Sequence, residues 1–180
     1  MSRFQRHKRR PGCHRQPGLT HFVTALLAVI VLSQGPGCSS KPPLVPEQIA
    51  GLHRVSLTSG EAARQIVDRM HGKDVTPSEN YIAQYEGEGG RKGTLYCSVY
   101  ADEAKAERVR KLMRDLIGKG ESPFRASQAF LVEGTEVSRC EGLGEYHCFF
   151  ATGRLLYWTA APQGDAARMA QEIIDRLRRR

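Results

Sequence analysis

The sequence predicts an α+β domain: an antiparallel sheet with three helices packed on one face, in the style of a ferredoxin-like sandwich. Three observations predict it. Short runs rich in Val, Ile, Leu, Tyr and Phe are joined by glycine-containing turns, which pair strands locally. Three other segments place apolar residues at helical spacing with a charged opposite side. The elements follow the order β-α-β-β-α-β-β-β-β-α, in which helices follow locally paired strands. The strand-strand-helix pattern at 81–117 recurs at 146–177, which gives two similar halves.

The elements are justified in turn. Leu52–Leu57 is a strand, after which Thr58 and Glu61 have the spacing of a capping box. The helix behind them runs to about His71, with Ala62, Ala63, Ile66, Val67 and Met70 on one stripe and Gly72 as its stop. Tyr81–Tyr85 and Thr94–Tyr100 are strands joined by the glycine-rich run 86–93. Asp102 caps a helix that carries Val109, Leu112, Met113, Leu116 and Ile117 and stops at Gly118. Phe130–Glu133 turns at Gly134 into Thr135–Cys140, and Gly142-Leu143-Gly144 turns into Tyr146–Phe150. Thr152-Gly153 leads into Leu155–Thr159. Pro162 and Asp165 then open a helix that buries Ala166, Met169, Ala170, Ile173, Ile174 and Leu177.

Charge separates this body from what precedes it. The 180 residues carry 27 Lys and Arg against 19 Asp and Glu, a net charge of +8. Residues 1–37 hold six of the basic residues and no acidic one, which leaves 21 against 19. Four of those 21 are Arg176 and Arg178–Arg180 at the very end. A nearly neutral body of this kind has no footprint for nucleic acid, whose phosphates demand a basic surface.

Residues 1–37 read as a secretory signal peptide. A basic stretch precedes Phe22–Leu32, an 11-residue run that is apolar but for Thr24. As a helix that run covers about half of a ~30 Å hydrocarbon core and cannot span it. Ser33-Gln34-Gly35-Pro36-Gly37-Cys38 follows, a small residue directly before a cysteine. This resembles the lipobox of bacterial lipoprotein precursors, with Gly35 and Pro36 departing from the usual pattern. The resemblance implies cleavage before Cys38, a diacylglycerol thioether on its sulfur, and an acylated (palmitate-type) amino terminus. One acyl chain gives marginal membrane residence, so several chains on Cys38 would supply durable anchoring without a transmembrane helix. Ser39 and Ser40, in place of an acidic residue, resemble lipoproteins sorted to the outer membrane. The expected organisation is thus a signal peptide 1–37, a lipidated cysteine with a proline-rich tether 38–48, and one domain 49–180. The expected location is the bacterial cell envelope, facing the periplasm. The alternative is a secreted protein with a free Cys38.

Chemistry is sparse. The run Glu86–Gly93 joins two strands instead of opening a helix, so it reads as a hairpin tip, with Arg91 and Lys92 beside Glu86 and Glu88 as an exposed charged knuckle. No CxxC, CxxCH or HExxH occurs, and His53, His71 and His147 are isolated in sequence, so no cofactor or metal is expected. His147 beside Cys148 reads as a satisfied or solvent-edge histidine, because adjacent strand residues point to opposite faces. Ser56, Ser138 and Thr159 lack the context of a nucleophile elbow, and Glu133, Glu136, Glu141 and Glu145 read as outward charges. Cys97 reads as a buried small hydrophobe. Cys140 and Cys148, of equal parity around a tight turn, are expected to face one side as a strained diagonal pair, the candidate disulfide. With all helices on one side, Tyr96 and Tyr100 are left on an open sheet face, a surface for a protein partner or a second copy of the chain. The expectation is a noncatalytic binding or assembly module anchored through Cys38. The alternative is a small-ligand or thiol-dependent module using that face and Cys140 with Cys148.

Overall fold

A computed structural model describes residues 44–71 and 77–179. The leader, Cys38, the first part of the tether and Gly72 lie outside the described residues. The elements are β1 (Gln48–Ile49), β2 (Leu52–Ser59), α1 (Gly60–His71), β3 (Glu79–Glu86), β4 (Lys92–Val99), α2 (Glu103–Gly118), β5 (Arg125–Val132), β6 (Thr135–Gly142), β7 (Glu145–Thr152), β8 (Leu155–Ala161) and α3 (Asp165–Arg178). The strands form one antiparallel sheet in the order β1-β2-β3-β4-β8-β7-β6-β5. The α+β class, the antiparallel sheet and the three helices agree with the sequence. The two-residue β1 is an addition, and β5 starts five residues earlier than its apolar run.

The helices do not share a face. The cross-strand row Ile82–Tyr96–Trp158–Phe149–Ser138 lies under α1 at one end and α2 further along. The next row, Ala83–Leu95–Thr159–Cys148, points the other way and packs with α3, where the Thr159 hydroxyl donates to the Ala166 carbonyl at 2.9 Å. Successive strand residues alternate sides, so α1 and α2 cover one face and α3 the other. The reason lies in the central strands, which are apolar at both parities: Phe149 and Phe150 are both buried, as are Tyr157 and Leu156. A sheet whose two faces are apolar needs cover on both.

The α3 stripe is as expected, with Ala166, Met169, Ala170, Ile173 and Ile174 at most 3% exposed and Leu177 packed beside them. Gly93 makes that approach close: a Cβ there would meet Met169 Sδ at 2.9 Å and Leu52 Cδ1 at 3.1 Å. In α2, Asp102 caps as expected, accepting from the Lys105 backbone N–H at 2.7 Å. The inward stripe is rotated, however. Ala106, Arg110 and Ile117 are buried while Leu112 is half exposed. In α1 only Ala63 and Val67 are buried, with Ile66 packed against them, and Met70 is exposed. No capping box forms, because Thr58 stays in β2 opposite Ile82 while the Glu61 carboxylate accepts from Arg64 at 2.9 and 3.0 Å.

Residues 44–48, expected to be tether, pack on the body. Val45 is 4% exposed within the core beneath α3's flank. Buried tyrosines fix the segment from below. Tyr157 donates its hydroxyl to the Leu44 carbonyl at 3.1 Å, and Tyr85 donates to the Pro46 carbonyl at 2.7 Å. The Arg54 guanidinium adds a bond to the Val45 carbonyl at 2.8 Å. Pro46 restricts the backbone here and leaves less entropy to lose on docking, so 44–48 belongs to the body.

Candidate functional site

A concavity lies where the C-terminal half of α2 crosses β5, β6 and β7. It is a cleft of about 450 Å³ whose lining includes Arg114, Ile117, Lys119, Ala129, Ser138 and Phe149. Arg110 lies behind it, bonded to the lining residue Ser138. The Arg110 side chain, 5% exposed, sits where helical spacing calls for an apolar residue. Its Nε and Nη2 donate to Glu107 at 2.8 Å each, and its Nη1 donates to Glu136 at 3.2 Å and to the Ser138 hydroxyl at 3.3 Å. Arg114 donates to the same Glu136 oxygen at 3.2 Å. The bidentate arginine bond holds the Glu107 carboxyl below the ordinary carboxylate range. Glu136, read from sequence as an outward charge, is therefore the tie between α2 and β6. Sequence periodicity missed Arg110, and its only signal was the presence of Glu107 three residues earlier.

The outer wall is β5, the last strand of the sheet. Its outer edge has no strand neighbour among the described residues. Ser127 pairs with Arg139 and Phe130 with Val137, so Gln128 and Ala129 bulge against Ser138. Ala126, Gln128 and Ala129 are exposed, Leu131 is 73% exposed, and Arg125 is the strand's one charge.

The residues singled out from sequence are placed otherwise. Tyr100 is buried with Ala106 and Leu156 under α2, where burial pushes its phenol up to about 12. Tyr96 is half-buried against α1, so no open sheet face carries the two tyrosines. Arg91 is no free knuckle either. It donates to the buried Asp165 carboxylate at 3.2 Å and to the Gly51 carbonyl at 3.4 Å, clamping the hairpin tip onto the first turn of α3. A carboxylate there also suits the positive end of the helix. Lys92 is exposed and pairs with Glu86 at 3.4 Å.

The candidate disulfide fails on register. Leu143 and Gly144, both at positive φ, form a two-residue turn that pairs Gly142 with Glu145 and hence Cys140 with His147, and Arg139 with Cys148. An odd register sum puts residues of equal parity on opposite faces. Cys140 accordingly packs with Ile117 and Phe149, and Cys148 with the α3 core. Neither is in a disulfide, nor is Cys97, and burial pushes Cys140 up to about 12 and Cys148 up to about 11. Protonated and covered, Cys140 and Cys148 offer no nucleophile at neutral pH. All three are expected to resist an aromatic disulfide reagent at pH 8 in the folded protein and to react within minutes in guanidinium. A thiol titrated without denaturant would contradict this burial.

His147 shares the face of Cys140. Its Nδ1 accepts from Trp158 Nε1–H at 3.1 Å and its Nε2 donates to the Gly142 carbonyl at 3.0 Å. Indole only donates, which fixes the neutral Nε2–H tautomer. Phe124, His147, Trp158 and Phe149 make a run of edge and stacked ring contacts at 4.9–5.3 Å. Both ring nitrogens are thus used in structure. Among the described residues, no three His, Cys, Asp or Glu side chains are grouped to hold a metal ion. No helix there is long and apolar enough to cross a membrane.

Compared with protein families, with curated proteins and with solved structures, the chain matches none. The cleft and the edge beside it carry the functional argument on their own.

Proposed function

We propose that this chain is a lipid-anchored protein of the bacterial cell envelope whose body is a noncatalytic binding module, taking an extended segment of a partner protein along β5. Cys38 acyl chains provide the location, on the periplasmic side of a membrane and by the Ser39-Ser40 resemblance the outer one. The observation that carries the binding reading is the β5 edge. It presents eight residues with a single charge and no covering strand, beside a cleft floored by Phe149. Natural sheets usually blunt such edges with lysines, prolines or bulges; β5 has the bulge at Gln128–Ala129 but neither lysine nor proline, and the edge on either side of that bulge is a template for strand addition. Backbone bonds along β5 would supply affinity, and a partner side chain entering the cleft beside Ile117 and Phe149 would supply selectivity.

The anchor and the edge are tested separately. Mass spectrometry of the mature protein should find diacylglycerol on Cys38, and Cys38→Ala should move the protein from the membrane pellet to the soluble fraction. A pellet unchanged by that substitution would refute anchoring. A photo-crosslinker at Gln128 should give a discrete adduct in native envelopes that disappears in the Ala129→Lys/Leu131→Lys variant. An adduct indifferent to the added charges, or none, would refute the edge.

A further inference from the structure

The rotation of α2 leaves an apolar stripe of that helix without cover. Arg110 and Arg114 bond Glu136 of β6, which fixes the side of α2 that faces β6. At about 100° per residue, Val109, Leu112 and Leu116 fall on the opposite side. With Met113 they keep the i, i+3, i+4, i+7 spacing of a face made for packing. Leu112 is 52% exposed, and Val109, Met113 and Leu116 are only partly buried.

This side of α2 looks along the sheet towards α1. α1 rests on β2 and β3, and α2 on β8, β7 and β5, which leaves β4 between them. From the middle of the β2–β3 pair to β7, where α2 chiefly lies, is about 3.5 strand spacings of ~4.8 Å, or ~17 Å. Helices in direct contact lie ~8–10 Å apart, so among the described residues the two are separated by a trough one helix wide. Its floor is the cross-strand pair Tyr96 and Trp158, both partly buried.

The charges beside the stripe select the occupant. The ion pairs of α2 are made by Arg110 and Arg114. Lys105 lies on the stripe's own side, with Arg108 and Lys119 on its outer rim, and none of the three has an acidic partner among the described residues. Glu103 and Glu107 lie towards β6, and Asp115 points outward. The wall of the trough is thus apolar with a cationic rim.

We infer that the trough between α1 and α2 docks an amphipathic helix of a partner protein. That helix is apolar where it meets Val109, Leu112 and Leu116, and acidic along the edge that meets Lys105, Arg108 and Lys119. This surface goes beyond the β5 edge and depends neither on it nor on the anchor. A second copy of the chain fits poorly. Two α2 stripes facing each other antiparallel about Leu112 would set Lys105 against Lys119, and parallel ones would set each cation against itself. A bilayer fits poorly too, because a flat surface would rest on the outer turns of the two helices and miss a stripe that faces along the sheet.

The test uses the full chain expressed in a bacterium and a displayed library of tryptophan-free helices of about eighteen residues. The library has one fixed apolar stripe and random flanking positions. Helices selected on the chain should be enriched in Asp and Glu at the flanks. Their binding should shift the emission of Trp158, the chain's single tryptophan, to shorter wavelength. Affinity should fall at least tenfold for Leu112→Asp and for the Lys105→Glu/Lys119→Glu variant, and stay unchanged for Leu131→Lys on β5. Leu112 already meets water, so Leu112→Asp should keep the wild-type unfolding midpoint. No enriched helix, neutral or basic flanks, or binding indifferent to Leu112→Asp would overturn the docking site. A dimer of the chain abolished by Leu112→Asp would replace the partner helix with a second copy. A Trp158 shift produced by phosphatidylglycerol vesicles and not by the helices would replace it with a lipid surface.

Discussion

Phe149→Ala is expected to cost about 3–5 kcal/mol of folding stability, the range for truncating a buried aromatic side chain. Phe149 is 1% exposed, stacks on Trp158 with ring centroids 5.0 Å apart, and packs on Ile117 and Cys140. Its removal opens a void between the sheet and α2, and the backbone of a central strand cannot collapse to refill it. Trp158 is the chain's single tryptophan, so its emission reports this site directly. The midpoint of chemical unfolding followed by that emission should fall by several tenths of its wild-type value. Phe149→Leu, which keeps most of the volume, should fall much less. Equal losses for the two substitutions would mean that the ring stack, and not the filled volume, sets the energy. A loss under about 1 kcal/mol would contradict the close packing of α2 on β7.

Arg110→Met is expected to cost about 2–3 kcal/mol, because it strips the only donors common to Glu107, Glu136 and the buried Ser138 hydroxyl while keeping the stem that fills the helix–sheet seam. The acid limb of the stability profile gives a second readout. The Glu107 carboxyl is held below its ordinary value mainly by the Arg110 bonds. A carboxylate depressed by folding adds stability above its unfolded pKa, near 4.5, and that stability is lost as pH falls through the lower folded value. The wild-type protein should therefore weaken below about pH 4.5 more steeply than Arg110→Met. Parallel acid limbs in the two proteins would show that the pair contributes nothing to the pH dependence. Because Glu107 and Glu136 are both more than a third exposed, and Glu136 keeps its bond from Arg114, solvent screens much of their attraction, and the neutral-pH loss comes chiefly from the buried Ser138 hydroxyl losing its donor.

How much of this was legible in the sequence depends on which period governed each segment. α3 was legible residue by residue, because Ala166, Met169, Ala170, Ile173 and Ile174 form one uninterrupted apolar stripe. α2 was legible as a helix but not in its rotation. Its cap and stop were read correctly, yet Leu112 carries the apolar signal while Arg110 takes the inward place, and no periodicity scale ranks a guanidinium above leucine. The two-sided cover of the sheet had a signal that went unused: Phe149-Phe150 and Tyr157-Trp158 put large rings at both parities, which a one-faced sheet would leave half wet. Tyr100 was assigned to an open face for the same reason. The Cys140–Cys148 expectation failed on counting, since equal parity means one face within a strand but opposite faces across a two-residue turn. The β5 edge is a matter of sheet order, fixed when β4 pairs with β8 across some sixty residues, and local turn signals say nothing of such a pairing.

The docked segment 44–49 also bears on how the body is made. Ala50 donates its backbone N–H to Glu172, 122 residues later, and Ile49 shares a core with Ile173 and Ile174. The earliest part of the body to leave the ribosome thus finishes its packing only when the last helix arrives. Contacts of such long sequence separation form slowly, so the body stays open until its last helix is made, and removing either segment would unseat the other.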